Sequence, residues 1–487
     1  MQTDRLKIVK ILLLCGGLYL CFVTLFSRNL SDNDLWGYLS FGRVFWEDGY
    51  FPFYDIFAYT PIKSFWVYHE WLTGVIFYII CKYTGPAGLQ LFRYILILFT
   101  IYLIYMVALK KGGNPLSAVI ALIPAMALIS FGYVPVRAQI FTYFFFILTV
   151  YILEDAKRTE KWSVLWWLVP IQILWCNLHG GFVAGIGLIG LYALGEALSR
   201  KKFLPYIMIG GIATLATLIN PYGIKYWTYM IYAVGMPRPE IEEWMSVLNA
   251  IRKHYQTLPV YTFLALAFLS SILFAFRQKK SLTDFLVLVV TIYLGLVHVR
   301  HNALFAIIFG SFVPSMLSEC WEKWKEKYFL RRYFSWIPQA LPAAMFLAVY
   351  LLINSFLSLT VVPSFTLLAP SPYFPAGAVH WIKTNQIQGH ILPHFDWGEF
   401  LIWKLYPDCR VAMDGRYESV YEDYVSQEYF DFLMGRDTWD IFLRKYHHDM
   451  VLIVPNTRTC WLMLKEPDWR VAYRDDGSVL FVRKSRS

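Results

Sequence analysis

Charged residues are scarce in this 487-residue chain. Asp, Glu, Lys and Arg make up 16% of it, against 57% hydrophobic residues, with 38 Phe, 34 Tyr and 19 Trp. A soluble domain carries about a quarter charged residues, so the shortage excludes an ordinary soluble enzyme. The repeated long apolar runs predict instead an α-helical polytopic membrane protein. A small-residue cleavage site is missing after the first apolar run, which predicts that residues 11–27 stay in place as a span. Cysteine is sparse as well. Of seven, Cys15, Cys21, Cys81, Cys176 and Cys320 fall in or beside apolar runs, where a small buried hydrophobe is the default. Only Cys409 and Cys460 lie in a polar region, and two cysteines do not make a disulfide framework. No internal repeat is visible, and the outlying charges gather at span ends, so the two marks of a transporter are missing.

What is present first concerns topology. Apolar runs lie near 11–27, 88–109, 115–133, 138–154, 162–178, 181–198, 203–220, 258–276, 281–298, 302–318 and 336–359. A twelfth candidate, 66–83, has an uninterrupted apolar part, Trp71 to Cys81, shorter than the ~20 residues a span needs. If 66–83 stays in the interface, nineteen basic residues fall in short cytoplasmic segments, among them Lys110, Lys111, Lys157, Arg158, Arg200, Lys201, Arg277, Arg331 and Arg332. The positive-inside rule asks for that arrangement. The net charge of +10 thus serves orientation and is no sign of a nucleic-acid partner. The expectation is eleven spans over residues 1–359, an amphipathic outer-surface helix at 66–83 and a tail, 360–487, outside. In the tail, strand and helix patterns alternate, "HILPHF", "DWGEFLIWKLY", "CRVAMDG", "DMVLIVP" and a hairpin turning at Asp475-Asp476-Gly477, which predicts a C-terminal extracytoplasmic α/β domain.

This topology puts the out-of-place polar groups on one face. The first outer loop, 28–87, opens with "SDNDLWGYLSFGR", holding Asp32 and Asp34. Two acids spaced i, i+2 can share a divalent cation such as Mg or Mn, or one can act as a general base. Asp32 also reads as an N-cap, and both readings stay open. Asp34, in the first turn of an aromatic-rich helix at the membrane surface, is the better candidate base. Arg137 and Arg300 stand at outer span ends, where snorkelling to headgroups competes with binding a phosphate through the planar guanidinium fork. His301 and Asn302 add donors beside Arg300. Further candidates for substrate contact are Tyr38, Asp55, His69, Glu70, Gln139, Asn177 and His179, the last reading more readily as a structural histidine beside Gly180-Gly181. In the tail, Asp396, Trp397, Gly398, Asp414 and Arg416 stand in loops at strand ends, where α/β folds bind ligands.

The motif "DNDLWGYLSFGRVFWEDGYFPFYDIFAYT", the "HEWL" segment and eleven or so spans together resemble the GT-C superfamily, integral-membrane glycosyltransferases that use polyprenyl-phosphate-linked sugars. Asp34 followed by Tyr38 matches the acid-to-tyrosine spacing of the protein-mannosyltransferase and aminoarabinose-transferase branch, whose neighbouring acid is Leu35 here. The tail is similar to the soluble part of oligosaccharyltransferase catalytic subunits, with Asp396, Trp397 and Gly398 nearest to their acceptor-recognition motif and Phe395 replacing a Trp. The resemblance implies inverting transfer from a polyprenyl-phosphate sugar to an extracytoplasmic glycan, lipid or protein acceptor, with an Asp base. It further implies a bacterial or archaeal cell membrane as the setting, with membrane lipids as partners. A divalent metal is used in one branch and not required in the other. A polysaccharide polymerase or ligase acting on lipid-linked glycans is the alternative, and a transporter of lipid-linked substrates is a more distant one.

Overall fold

The computed structural model describes residues 29–130, 135–278, 280–327 and 365–484. The expected spans 11–27 and 336–359, and the basic loop with Arg331 and Arg332, lie outside the described residues. Helix α1 (Asn33–Glu47) is followed by α2 (Trp71–Lys110), α3 (Pro115–Ser130), α4 (Gln139–Thr159), α5 (Leu168–Leu178), α6 (Phe182–Leu198) and α7 (Leu204–Ala216). Then come α8 (Ile224–Gly235), the short α9 (Val247–Arg252), α10 (Thr257–Phe276), α11 (Leu282–Val297) and α12 (Asn302–Lys327). Each of the nine expected spans that fall on described residues is an apolar helix. Four are long and apolar enough to cross a membrane, and the shorter apolar helices have 10–17 residues. Arg93, fully buried inside α2, is a charge within an expected span that the hydropathy pattern hides.

Helix α1 starts where its sequence supplies a cap: the Asp32 carboxylate accepts from the backbone N–H of Asp34 at 3.1 Å. Its aromatic residues are buried on two sides, Trp36 against Phe374 and Phe400 of the tail, Tyr38 against Phe77 and Phe41 against Trp66 and Tyr68. Gly42 is there for contact, because a Cβ would lie 2.2 Å from the Gly74 carbonyl oxygen. Small residues at that crossing let α1 and α2 approach backbone to backbone. Helix α2 is broken at Gly85, which adopts φ +67° just before Pro86. The break separates residues 71–84 from the expected span 88–109. Two details of the 66–83 expectation need correction. Residues 66–70 are not helical, since Glu70 sits at the N-cap and the helix begins at Trp71, and the helix is packed on one face, burying Thr73, Gly74, Val75, Phe77 and Tyr78.

The tail folds as helix α13 (Ala376–Thr384), then strand β1 (Gly389–Pro393), α14 (Gly398–Leu405), β2 (Cys409–Val411), α15 (Tyr417–Val420), α16 (Asp423–Met434), α17 (Trp439–Lys445), β3 (Met450–Ile453), α18 (Arg458–Met463), β4 (Trp469–Arg474) and β5 (Val479–Arg483). The sheet order is β2-β1-β3-β5-β4, with β2, β1 and β3 parallel and the β4–β5 hairpin antiparallel. The stretch 418–435 reads as one helix in sequence but divides at Tyr421 and Glu422 into α15 and α16. Cys409 and Cys460 are both free.

The tail is laced to the segment between α1 and α2 and to the residues just before α1. Single β-bridges join Leu30 to Leu368, Ala58 to Val411 and Ile62 to Tyr421. Beneath them Arg416 lies between Asp55 (Nη1–Oδ1 2.6 Å) and Asp414 (Nη2–Oδ2 2.7 Å), all three buried. A buried guanidinium with two carboxylates keeps its geometry only when both partners are present.

Candidate active site

The cap geometry of α1 aims Asp34 away from the helix axis toward the outer end of α4. There Arg137 meets it, Nη2 to Oδ2 at 2.6 Å, with Asp32 Oδ1 at 3.6 Å from Arg137 Nε. The same guanidinium donates from Nη1 and Nη2 to both oxygens of Glu243, each at 3.4 Å, and Glu243 also takes Arg300 Nη1 at 3.2 Å. Glu243 therefore bridges the two outer arginines. Burial pushes its carboxyl up, but Arg137 and Arg300 pull harder and hold it below the ordinary carboxylate range. Burial, offset by Arg137 and reinforced by Asp34, raises Asp32 to about 7. Asp34 is the more open of the two acids, 30% exposed at its side chain against 16% for Asp32.

Glu70 forms the second half of the site. Its Oε1 lies 3.4 Å from His179 Nε2 and 3.7 Å from His69 Nε2. The backbone N–H of Gly181 donates to His179 Nδ1 at 2.9 Å, which leaves the ring proton on Nε2, facing Glu70. Burial first, and Asp34 second, raise Glu70 to about 8, while burial keeps His69 near about 4 and His179 well below its ordinary value. A proton-bearing carboxyl thus stands among two neutral imidazoles. His69 Nδ1 faces the Tyr229 hydroxyl at 3.2 Å, and the same hydroxyl donates to Glu418 at 3.4 Å.

No protein-family model and no curated protein sequence matches the chain. Solved structures do. The apo oligosaccharyltransferase of Archaeoglobus fulgidus superposes with a TM-score of 0.59 at 12% identity, over 92% of this chain and 69% of that one. ArnT from Cupriavidus metallidurans, bound to undecaprenyl phosphate, gives 0.50 at 12% identity over 98% of both chains. The arabinofuranosyltransferase AftD from mycobacteria gives 0.50 at 12% identity over 99% of this chain and 42% of that one. All three are GT-C glycosyltransferases. The chain has the GT-C fold.

Within this GT-C fold, the candidates from sequence divide into two groups. Asp32, Asp34, Glu70, Arg137, His179 and Arg300 converge as described, with Tyr38 on the same helix as Asp34 and His69 beside Glu70. His301 packs against Trp244 and His298, and burial with Arg300 beside it lowers the ring to about 3. Asn302 is wholly buried, its Oδ1 stands 2.8 Å from where a Cβ of Gly295 would be, and neither amide atom has a hydrogen-bond partner among the described residues. Asn177 accepts from Trp71 Nε1 (2.8 Å) and donates to the carbonyls of Ile173 and Ile219. It lines an apolar groove of about 480 Å³ with Trp71, Ile173 and Pro221. Gln139 is buried in the first turn of α4.

Asp55 and the tail candidates have partners of their own. Asp55, Asp414 and Arg416 saturate one another in the buried triad, Trp397 is buried with Nε1 donating to the Tyr373 carbonyl, and Gly398 is pressed on the Asp414 backbone. Asp396 alone is exposed, 3.8 Å from His394. Sequence reading missed Glu243, Glu418, Arg238 and Glu399. Arg238 donates to Glu418 from Nε at 2.6 Å, so the segment between α8 and α9 is fixed to the tail at one end and to the outer arginines, through Glu243, at the other. The sequence "PRPEIEEW" carried a signal, acids and an arginine in an outer loop, but no spacing rule pairs them with residues so distant.

The donor set at Asp32 and Asp34 does not fit a divalent cation. Asp32 Oδ1 is used as a cap, Asp34 Oδ2 is held by a guanidinium, and among the described residues no three His, Cys, Asp or Glu side chains are grouped to hold a metal ion. We derive no step through a metal.

Proposed function

We propose that this chain is a membrane glycosyltransferase that moves a sugar from a polyprenyl-phosphate-linked donor to a hydroxyl acceptor on the extracytoplasmic face, with inversion. The observation that carries the reading is the Asp34 carboxylate, oriented by Arg137 through one oxygen and open at the other, with a second arginine joined to Arg137 through Glu243. The fold it shares with ArnT, which was solved with undecaprenyl phosphate, supports the choice of carrier. Asp34 accepts the proton of the acceptor hydroxyl through its free oxygen. The acceptor oxygen forms the bond to the anomeric carbon from the face opposite the leaving group. The carbon–oxygen bond to the phosphate breaks, and polyprenyl phosphate leaves with the electron pair. A positioned carboxylate base contributes about 10²–10⁴-fold.

Arg137 and Arg300 receive the donor phosphate, and to do so they release Glu243. The donor phosphodiester offers two non-bridging oxygens to the two guanidinia, and the departing polyprenyl phosphate offers three. Asp34→Asn keeps the size of the side chain and removes the base. It is expected to abolish release of undecaprenyl phosphate from undecaprenyl-phosphate-linked sugars while binding of undecaprenyl phosphate survives. Turnover of Asp34→Asn at near wild-type rate sinks the mechanism.

A further inference from the structure

A glycine inside a helix costs roughly 1 kcal/mol relative to alanine, and α1 carries one at Gly37, a turn below Asp34. The reason lies in the tail. Gly37 donates its backbone N–H to Glu399 Oε2 at 3.1 Å, across 362 positions of sequence. A Cβ at Gly37 would stand 2.3 Å from that same oxygen, so only glycine admits the carboxyl. On its other side the carboxyl is closed by Gly415. A Cβ there would lie 2.9 Å from Glu399 Oε1 and 3.6 Å from Asp34 Oδ1, so this backbone position lies beside both acids.

We propose that Glu399, carried by α14 of the tail, is a positioning residue for Asp34: its carboxyl fills a slot between two glycines and fixes the backbone of α1 directly below the base. The proposal rests on reading Asp34 as that base. Glu399 is buried, and burial, with Asp34 and then Asp414 adding to it, holds its carboxyl well above the ordinary range. A carboxyl shifted in that direction is repelled less by Asp34 than an ordinary one. A neutral amide of the same shape does the same work, and a methyl group leaves the slot empty and α1 free to shift.

The full chain in liposomes, given undecaprenyl-phosphate-linked sugars, is followed by release of undecaprenyl phosphate at varied donor concentration. Glu399→Gln is expected to keep kcat within about threefold, whereas Glu399→Ala loses about tenfold or more with donor KM unchanged, since a displacement of ~1 Å at a reacting group costs up to about 100-fold. Gly37→Ala, which pushes the same carboxyl aside, is expected to lose as much, and the double variant no more than either alone. Undecaprenyl phosphate affinity equal to wild type in each variant certifies the fold. Wild-type kcat in Glu399→Ala, a loss in Glu399→Gln as deep as in Glu399→Ala, or additive losses in the double variant overturns the positioning role. Asp34→Asn run in parallel separates the two claims. If it turns over normally the base assignment fails, and if it is silent while Glu399→Ala is normal, only the role of Glu399 fails.

Discussion

The two acids at the head of α1 differ in what surrounds them. Asp32 is spent on the helix, as its place before an apolar-periodic run suggests, and Asp34 is left to meet Arg137. Glu70 is the residue whose state follows most directly from its surroundings. Its carboxyl holds a proton up to about pH 8 when folded, against an ordinary value of 4.5. Between those values the folded chain keeps a proton that the unfolded chain has released, so stability falls as pH rises through that window. Glu70→Gln removes this contribution. Its melting temperature in nanodiscs is expected to drop less than wild type between about pH 5 and about pH 8. A slope remains, because Asp32, raised to about 7, acts in the same direction. Arg300 carries the phosphate prediction. A charge-assisted contact is worth about 1.5–3 kcal/mol, so Arg300→Ala is expected to raise the donor KM at least several-fold, and Arg300→Lys to recover only part, lacking the fork.

Among the elements, α1 and the first half of α2 act as one unit because Gly42 and Gly74 let their backbones touch. Gly42→Val puts carbon where the Gly74 carbonyl stands and is expected to cost about 1–3 kcal/mol, read as a lowered thermal midpoint. The strap from Met236 to Ser246 is the second element of consequence. Glu243 pairs with Arg137 and Arg300, and on the proposed function it gives way to the donor phosphate, so Glu243→Gln weakens the occupant without emptying the place. Undecaprenyl phosphate is expected to bind that variant at least about threefold more tightly; unchanged or weaker binding removes Glu243 as a competitor. Element types were readable here because hydropathy and strand alternation are local signals. The strap was not, since its meaning lies in Arg238–Glu418 and Glu243–Arg300 pairs that join distant stretches of chain.

For the whole molecule, the sequence reading found the helical bundle, the α/β tail and the acid-bearing helix, all of which depend on periodicity or on a cap next to an apolar run. It did not show that Asn177, Trp397 and the Asp55–Arg416–Asp414 triad have partners within the fold, because local polarity says nothing about whether a neighbouring carbonyl or guanidinium has already claimed a group. Orientation rests on the basic residues of the short loops. Cysteines placed at Gly112 and Asn385, both at exposed positions, are expected to label from the inside and the outside respectively. The reverse pattern removes the extracytoplasmic site.

The contact between Gly37 and Glu399 also sets an order of events. While the chain is being made, α1 exists for 362 residues of synthesis without the carboxyl that fills its glycine slot, and the loop around Asp55 waits as long for Arg416. A chain cut short before the tail would lack both contacts, so α1 and the loop around Asp55 gain these two fixed partners only once the tail is in place.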